Sequence, residues 1–424
     1  MKKSLIHIYH IKFIRNTFIV FLIFLYNLSL CQTGIFYFSN NSDKYPNNKF
    51  INLLEASNKE IYLLGKVSDK DYKISQAHFT RLDKKGNLLL QKTLQANSLY
   101  DLNNIILMPD QNIKIFGNEK TDNKYSPYIR TFNSNGTIKK STNNVSVYST
   151  MINDVVVFDN ENILITETKL GKSQKYNINI YLYNLKTDKQ VWYKKISSEL
   201  NEEADQIIID NNNNIIILGK KYNDKLTAYV PIIYKLNSSG EKIWKKGLEV
   251  PDNFFSQSIS TDTNGKIFYI CNYSRESTGE CETRIISISS KSDIENYEIL
   301  REISANGIIA LNNGNFFIFG SNLLIYNNQV ITKGKYIIIN NKFEILTKDE
   351  LSNNDFPDSK FIGSSKSILP SSSDLLSAIQ LSDGRIACSG RIIMPKNLNP
   401  DKIANSPRFN NALLLIMDIS GNFR

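Results

Sequence analysis

Side chains able to do chemistry are scarce in this chain. It has three histidines, His7, His10 and His78, and the first two fall inside an apolar N-terminal segment. His78 stands in Ala77-His-Phe-Thr80, an alternating pattern that reads as a strand, so it is expected as a satisfied or surface histidine. One imidazole supplies neither a histidine-based metal site nor a Ser/Cys–His relay. Carboxylate-only glycoside chemistry needs two acids converging on one bond, and nothing singles out a pair among the 41 Asp and Glu residues. The Asp/Asn-rich turns lack the ordered ligand spacing of a calcium loop and read as turn chemistry. No catalytic residue, no cofactor and no metal is therefore expected, and the chain reads as a protein that is not an enzyme.

Four cysteines remain to be placed. Cys271 and Cys281 flank Asn272-Tyr-Ser-Arg-Glu-Ser-Thr-Gly-Glu280 and are expected to form a disulfide at facing ends of neighbouring strands. A loop that short contributes about 2–3 kcal/mol in the chain-entropy picture, and an exported compartment permits the bond. Cys388 is expected free and buried within a strand. Cys31 belongs to the leader.

The elements that carry these residues repeat. Seven copies of a short apolar run, usually closed by Gly, occur at Ile61-Tyr-Leu-Leu-Gly65, Ile113-Lys-Ile-Phe-Gly117, Ile163-Leu-Ile-Thr-Glu167, Ile215-Ile-Ile-Leu-Gly219, Ile267-Phe-Tyr-Ile-Cys271, Phe316-Phe-Ile-Phe-Gly320 and Ile386-Ala-Cys-Ser-Gly390. Their last positions are 52, 50, 52, 52, 49 and 70 residues apart. A period near fifty with strands inside it predicts propeller blades. Each run follows another apolar stretch and a polar turn, as in Ile207-Ile-Ile-Asp-Asn-Asn-Asn-Asn-Ile215, which predicts a hairpin of first and second strands. A third strand ends in Leu82-Asp-Lys-Lys-Gly86, Phe132-Asn-Ser-Asn-Gly136, Leu236-Asn-Ser-Ser-Gly240 or Met417-Asp-Ile-Ser-Gly421, with Asp188, Asp293 and Asn341 in the glycine's place elsewhere. Four residues on stand Leu90, Lys140, Trp192, Trp244, Tyr297 and Ile345, opening a fourth strand and expected to pack between neighbouring blades. The fold class is all-β, a seven-bladed β-propeller with four-stranded blades.

The seventh copy stops before a fourth strand, which would leave an unpaired edge. Gly34–Ser39 is strand-like and unclaimed by the repeat, so it is expected to pair with Leu413-Leu-Leu-Ile-Met417 and close the ring. The wide sixth interval holds two insertions, at about 347–374 and 392–411, with five of the ten prolines: Pro357, Pro370, Pro395, Pro400 and Pro407. Proline there argues for ordered loops rather than ladder strands. Phe356, Phe361, Ile362, Leu369, Ile393, Met394, Leu398 and Phe409 lie in these insertions. They are the candidate partner-binding residues, with local burial against their own blade as the competing reading.

At the other end, Lys2, Lys3, Lys12 and Arg15 precede the apolar run Phe18–Leu25, and Ser29-Leu30-Cys31 precedes Gln32. Residues 1–31 read as a signal peptide cleaved after Cys31, leaving 32–424 as one propeller. The rival reading takes Leu28-Ser29-Leu30-Cys31 as a lipobox, but Leu30 is large for its position and only two residues separate the anchor from the strand at Gly34. No second apolar run reaches membrane-spanning length, so the mature chain is expected to be soluble or peripheral, with association at the outer membrane as one form of the latter. Formal net charge is +10, yet four positive residues and no acids sit in the leader, leaving 47 basic against 41 acidic side chains. That excess, with no basic run, speaks against nucleic acid.

Tyr234-Lys-Leu-Asn-Ser-Ser-Gly-Glu-Lys-Ile-Trp244, and next Arg81-Leu-Asp-Lys-Lys-Gly-Asn87, resemble the propeller repeats of exported Bacteroidetes-type proteins, in which a strand ending in Gly leads to a turn and an outer-strand Trp. The resemblance covers roughly residues 50–424 and bears on fold, since such folds host many functions. Sialidase-like boxes would need an Asp where Ser238 stands, and quinone-cofactor propellers would need more of their tryptophan pattern than Trp192 and Trp244. The resemblance implies export, with retention in the periplasm or at the outer membrane because no sorting domain follows the last blade. Two functions follow as expectations. One is a non-catalytic protein–protein interaction platform in the envelope, such as a subunit of a secretion or gliding assembly. The other is a carbohydrate-binding or carbohydrate-cleaving propeller, which would show an acid pair and a groove of aromatics on the channel face.

Overall fold

The computed structural model describes residues 34–38 and 47–422, apart from 72–74, 95–98, 122–123, 143–149, 172–174, 197–200, 225, 227, 249–253, 276–279, 302, 327–328, 352–371 and 396–407. Every element among them is a strand. β1 is Gly34–Phe38. Blade 1 holds β2 (Asn47–Glu55), β3 (Ile61–Ser68), β4 (Ser75–Leu82) and β5 (Leu88–Leu94). Blade 2 holds β6 (Leu99–Leu107), β7 (Ile113–Thr121), β8 (Lys124–Phe132) and β9 (Ile138–Thr142). In blade 3 are β10 (Thr150–Val157), β11 (Asn162–Leu170), β12 (Tyr176–Asn184) and β13 (Lys189–Ile196). Blade 4 comprises β14 (Glu202–Ile209), β15 (Ile215–Asn223), β16 (Ala228–Leu236) and β17 (Lys242–Gly247). Then come β18 (Phe254–Thr261), β19 (Ile267–Arg275), β20 (Glu280–Ile288) and β21 (Ile294–Arg301) in blade 5. Blade 6 is β22 (Ser304–Ala310), β23 (Phe316–Tyr326), β24 (Gln329–Ile339) and β25 (Ile345–Glu350), and blade 7 has β26 (Ser373–Gln380), β27 (Ile386–Pro395) and β28 (Arg408–Met417).

Seven four-stranded antiparallel sheets result, six of them in chain order. The seventh has the order β1-β28-β27-β26, with Gly34 opposite Ile416 and Phe38 opposite Ala412. The fold is the expected seven-bladed propeller, closed by the expected N-terminal strand.

The apolar runs that announced the repeat are second strands because these are covered on both faces. Ile215, Ile216, Ile217 and Leu218 are all fully buried, as a strand flanked by two packed sheets requires. Among the described residues seven apolar clusters fill the seven spaces between neighbouring blades, and the one between blades 2 and 3 is the smallest, with seven buried residues against nine to fourteen elsewhere.

Each first strand carries a bulge beside its second strand, and the polar residues around it reach across to the next blade. Asn52 Nδ2 donates to Asn103 O at 3.0 Å, Asn103 Nδ2 to Asn153 O at 2.7 Å, and Asn104 Nδ2 to Asp154 Oδ1 at 2.8 Å. Ile207 N donates to Asp154 Oδ2 at 2.9 Å, Ile259 N to Gln206 Oε1 at 2.8 Å, and Asn306 Nδ2 to Leu375 O at 2.7 Å. Between blades 7 and 1, Ser382 N donates to Glu55 Oε2 at 2.6 Å. The bonds to Asn103 O, Asn153 O and Leu375 O satisfy carbonyls at the bulges.

The repeat's closing glycines answer to the same bulges. A Cβ on Gly65, Gly117, Gly219, Gly320 or Gly390 would sit 1.9–2.6 Å from a first-strand carbonyl oxygen, closer than any side chain sustains. The third-to-fourth strand turns put Gly86, Gly136, Gly240 and Gly421 at positive φ, and Asp188 takes that role in blade 3 as expected. In blades 5 and 6 the left-handed residues are Ser292 and Phe343, not Asp293 and Asn341.

Candidate functional sites

The sequence-derived candidates that the structure describes, Ile393, Met394 and Phe409, stand on blade 7. Antiparallel strands within a blade make the connection into a first strand and the hairpin from second to third strand emerge on the same face. The start of β26, the end of β27 and the start of β28 therefore share that face, as does the end of the β23–β24 ladder, which runs to Tyr326 opposite Gln329. Phe356, Phe361, Ile362, Leu369 and Leu398 lie outside the described residues. The other three stand on strands, a correction to the loop reading: Ile393, half-buried, pairs with Asn410, and Met394 pairs with Phe409. Pro395, opposite Arg408, ends the ladder, as a residue without an N–H can at a strand's last position. Strand also claims residues 345–350 and 373–374, so the first insertion is shorter than 347–374.

The expected Cys271–Cys281 disulfide is corrected. Cys271 is a free, fully buried thiol. The β19–β20 register sets Arg284 opposite Cys271, and Cys281 opposite Ser274. Three residues of offset separate the α-carbons by roughly 10 Å along the ladder, beyond disulfide reach. Burial pushes the Cys271 thiol up to about 12. Cys388 is free and buried on β27, as expected.

His78 is sealed in blade 1, 1 % exposed, with Gln91 Nε2 3.1 Å from its Nε2 and the Phe50 ring stacked at 6.4 Å. Burial pushes its pKa down to about 4, so the ring is neutral at ordinary pH. Among the described residues no group of His, Cys, Asp and Glu is placed to hold a metal, and no helix is long and apolar enough to cross a membrane.

The outer-strand tryptophans do pack between blades. Trp192 lies 3.0 Å from where a Cβ on Gly240 would stand, so the turn of blade 4 sits on it. Trp244 joins the cluster between blades 4 and 5 and donates Nε1–H to Ser290 O at 2.9 Å. Tyr297, 67 % exposed, and Ile345, 49 % exposed, do not follow the pattern.

Two polar assemblies were not visible in the sequence. On blade 4, Lys220 Nζ lies 3.1 Å from Glu203 Oε2 and 3.8 Å from Asp205 Oδ1. Burial, set against Lys220 and reinforced by Glu203, raises Asp205 to about 6. Tyr229 donates to Glu203 Oε1 at 2.9 Å. These groups satisfy one another.

The second assembly lines a cleft of about 440 Å³ between the facing sheets of blades 2 and 3. Blade 2 contributes Lys114, Phe116, Pro127 and Ile129, and blade 3 contributes Glu167, Lys169, Tyr181, Tyr183, Asp188, Gln190 and Tyr193. Glu167 is the third repeat's departure from Gly. It faces Ile152 in the register where five other blades keep glycine. Asn179 Nδ2 donates to Glu167 Oε1 at 3.0 Å, Tyr181 OH to Oε2 at 3.3 Å, and Tyr193 OH to Asn179 Oδ1 at 2.9 Å. Burial raises the Glu167 pKa against these bonds. Lower in the cleft, Lys114 Nζ meets Asp188 Oδ1 at 2.7 Å and stands 4.8 Å over the Tyr183 ring, while Tyr183 OH donates to the same carboxylate oxygen.

No protein-family model matches the chain, and no curated protein is significantly similar to it. Solved propellers resemble it in fold. A polysaccharide lyase, Uly1, superposes with a TM-score of 0.53 at 9% identity, covering 90% of this chain and 92% of the other. A Bacteroides caccae protein of unknown function gives a TM-score of 0.40 at 12% identity over 73% of this chain and 91% of that one. The propeller domain of the trilobed protease from Pyrococcus furiosus gives 0.40 at 7% identity over 82% and 93%. The likeness to Uly1 is one of fold alone.

Proposed function

We propose that the protein is a non-catalytic interaction platform of the bacterial envelope, exported and periplasmic or associated with the outer membrane, which holds a partner protein with the two long connections of blade 7. The observation that carries this reading is the confinement of the departures. Six blades follow one another at 49–52 residues, and both long connections flank strands of the seventh whose ends lie on one face. A ring needs seven similar blades to close and needs no insertion in one of them. Loops held on a rigid scaffold are where recognition concentrates. Phe356, Phe361, Ile362, Leu369 and Leu398 give these connections the apolar content of an interface core. The finer assignment to a secretion or gliding assembly rests on the sequence resemblance alone.

His78 is neutral and sealed, and Cys271 and Cys388 are buried thiols raised far above ordinary pH. The test replaces 352–371 and 396–407 with short Gly/Ser linkers and compares envelope co-purification with the unaltered chain. One partner lost from the variant, with the melting temperature retained, is the expected result. A partner that persists after both replacements overturns the reading.

A further inference from the structure

Seven interfaces between blades solve one packing problem, and the one between blades 2 and 3 solves it differently. Its apolar cluster is the smallest, and the remaining space is the cleft. At the position where five blades exclude every side chain, blade 3 places a carboxylate facing that space. A carboxylate held above its ordinary pKa by burial is costly to keep in a purely structural interface, and glycine was the available alternative. Its surroundings fix it in place: Asn179, 1 % exposed, uses one end of its amide on Glu167 and the other on the Tyr193 hydroxyl. Such a preset arrangement of polar groups over aromatic walls marks a small-molecule site.

We infer that the cleft binds an uncharged carbohydrate. Charge in the cleft is internally matched, Lys114 by Asp188 and Glu167 by Lys169 nearby, so a charged ligand would gain no unpaired counter-ion. Glu167 accepts two hydrogen bonds from the protein, and a carboxylate has lone pairs left for two neighbouring hydroxyls. The Lys114 ammonium donates once to Asp188 and has two further protons for sugar oxygens. Tyr181 and Tyr193 line the cleft and bring aromatic carbon to it, against which the C–H surface of a pyranose can pack, while Phe116 is fully buried and the Tyr183 ring carries the Lys114 ammonium. The volume lies in the range of small-ligand sites.

The test is a glycan array of neutral di- to hexasaccharides probed with the full-length protein, followed by titration calorimetry on the strongest hit. Glu167→Gly restores the residue most blades carry and Tyr193→Phe keeps the ring, so both variants should fold with unchanged circular dichroism. We expect Glu167→Gly to weaken the hit by at least about tenfold and Tyr193→Phe to weaken it by less. Glu203→Gln, in the blade 4 assembly, should leave it unchanged. No hit on the array, or a hit indifferent to Glu167→Gly, overturns the assignment. Shortening of the bound glycan would support the site and refute the non-catalytic reading above, while loss of the partner protein alone bears only on the latter.

Discussion

Asp154 is the side chain on which the latch between blades can be tested most sharply. Its carboxylate accepts from Asn104 Nδ2 in blade 2 at 2.8 Å, from Val155 N in its own blade at 2.8 Å, and from Ile207 N in blade 4 at 2.9 Å. One residue thus ties three blades. Asp154→Ala releases all three donors, and a buried donor left unsatisfied costs about 1–3 kcal/mol. Asp154 as a residue is half-buried while its carboxyl is enclosed, and the space left by truncation to Ala lies among polar groups that a water can bridge. The lower part of the range applies, for a total of about 3–5 kcal/mol. At roughly 2.1 cal/mol/K of unfolding entropy per residue, the 424-residue chain has an entropy near 0.9 kcal/mol/K. The expected fall in melting temperature is therefore about 3–6 °C. Urea unfolding followed by tryptophan fluorescence measures the free energy directly. Asp154→Asn keeps one acceptor and should fall between the two, and adding Asn104→Ala to Asp154→Ala should cost less than Asn104→Ala alone because the shared bond is already gone. A loss below about 1 kcal/mol for Asp154→Ala would refute the latch.

Further outcomes follow from the same structure. Deleting residues 32–40 removes β1 and exposes the β28 edge, so the melting temperature should drop sharply and aggregation rise; an unchanged melting temperature would refute closure by β1. Gly390→Val drives a side chain into the Asp374 carbonyl, whose oxygen lies 1.9 Å from where the new Cβ would stand, and should destabilise by more than about 2 kcal/mol, whereas Gly384→Ala, with open space around it, should cost only the strain of a positive φ. Burial raises Asp154 and Asp205 to about 6. Raised carboxyl groups bind their protons more tightly in the folded state, so the stability they contribute is fully present below the ordinary value of 3.8 and is lost as pH rises through about 6. Stability measured between pH 4 and 7 should decline less in the Asp154→Asn, Asp205→Asn double variant than in the parent. Cys271 should resist iodoacetamide in the native protein and react fully in urea; rapid native alkylation would contradict its burial.

Much of the fold could be read from the sequence because the second strands are covered on both faces and therefore appear as unbroken apolar runs, regularly spaced and punctuated by turn residues. The closing strand was legible for the complementary reason, since the seventh copy lacked an outer strand and Gly34–Phe38 had no other partner. Register was not legible. Nothing in the spacing of Cys271 and Cys281 shows that their strands pair with a three-residue offset, and nothing in the turns of blades 5 and 6 shows that Ser292 and Phe343 take the left-handed position. The cleft was hidden because its residues come from six strands and a turn of two blades, about fifty residues apart along the chain. Its one sequence signal was Glu167 in a glycine's place, and only the first-strand carbonyls that crowd Gly219 and Gly390 explain why that exchange matters.

Site-specific photo-crosslinking in intact cells tests the proposed function most directly. A photoreactive residue at Ile393, on the projecting ladder of blade 7, is compared with one at Ile243, 51 % exposed on the outer strand of blade 4. The account predicts one discrete adduct to a single envelope protein from position 393, absent from position 243 and lost when 352–371 and 396–407 are replaced. Equal labelling from both positions, or an adduct that survives the replacements, would contradict it.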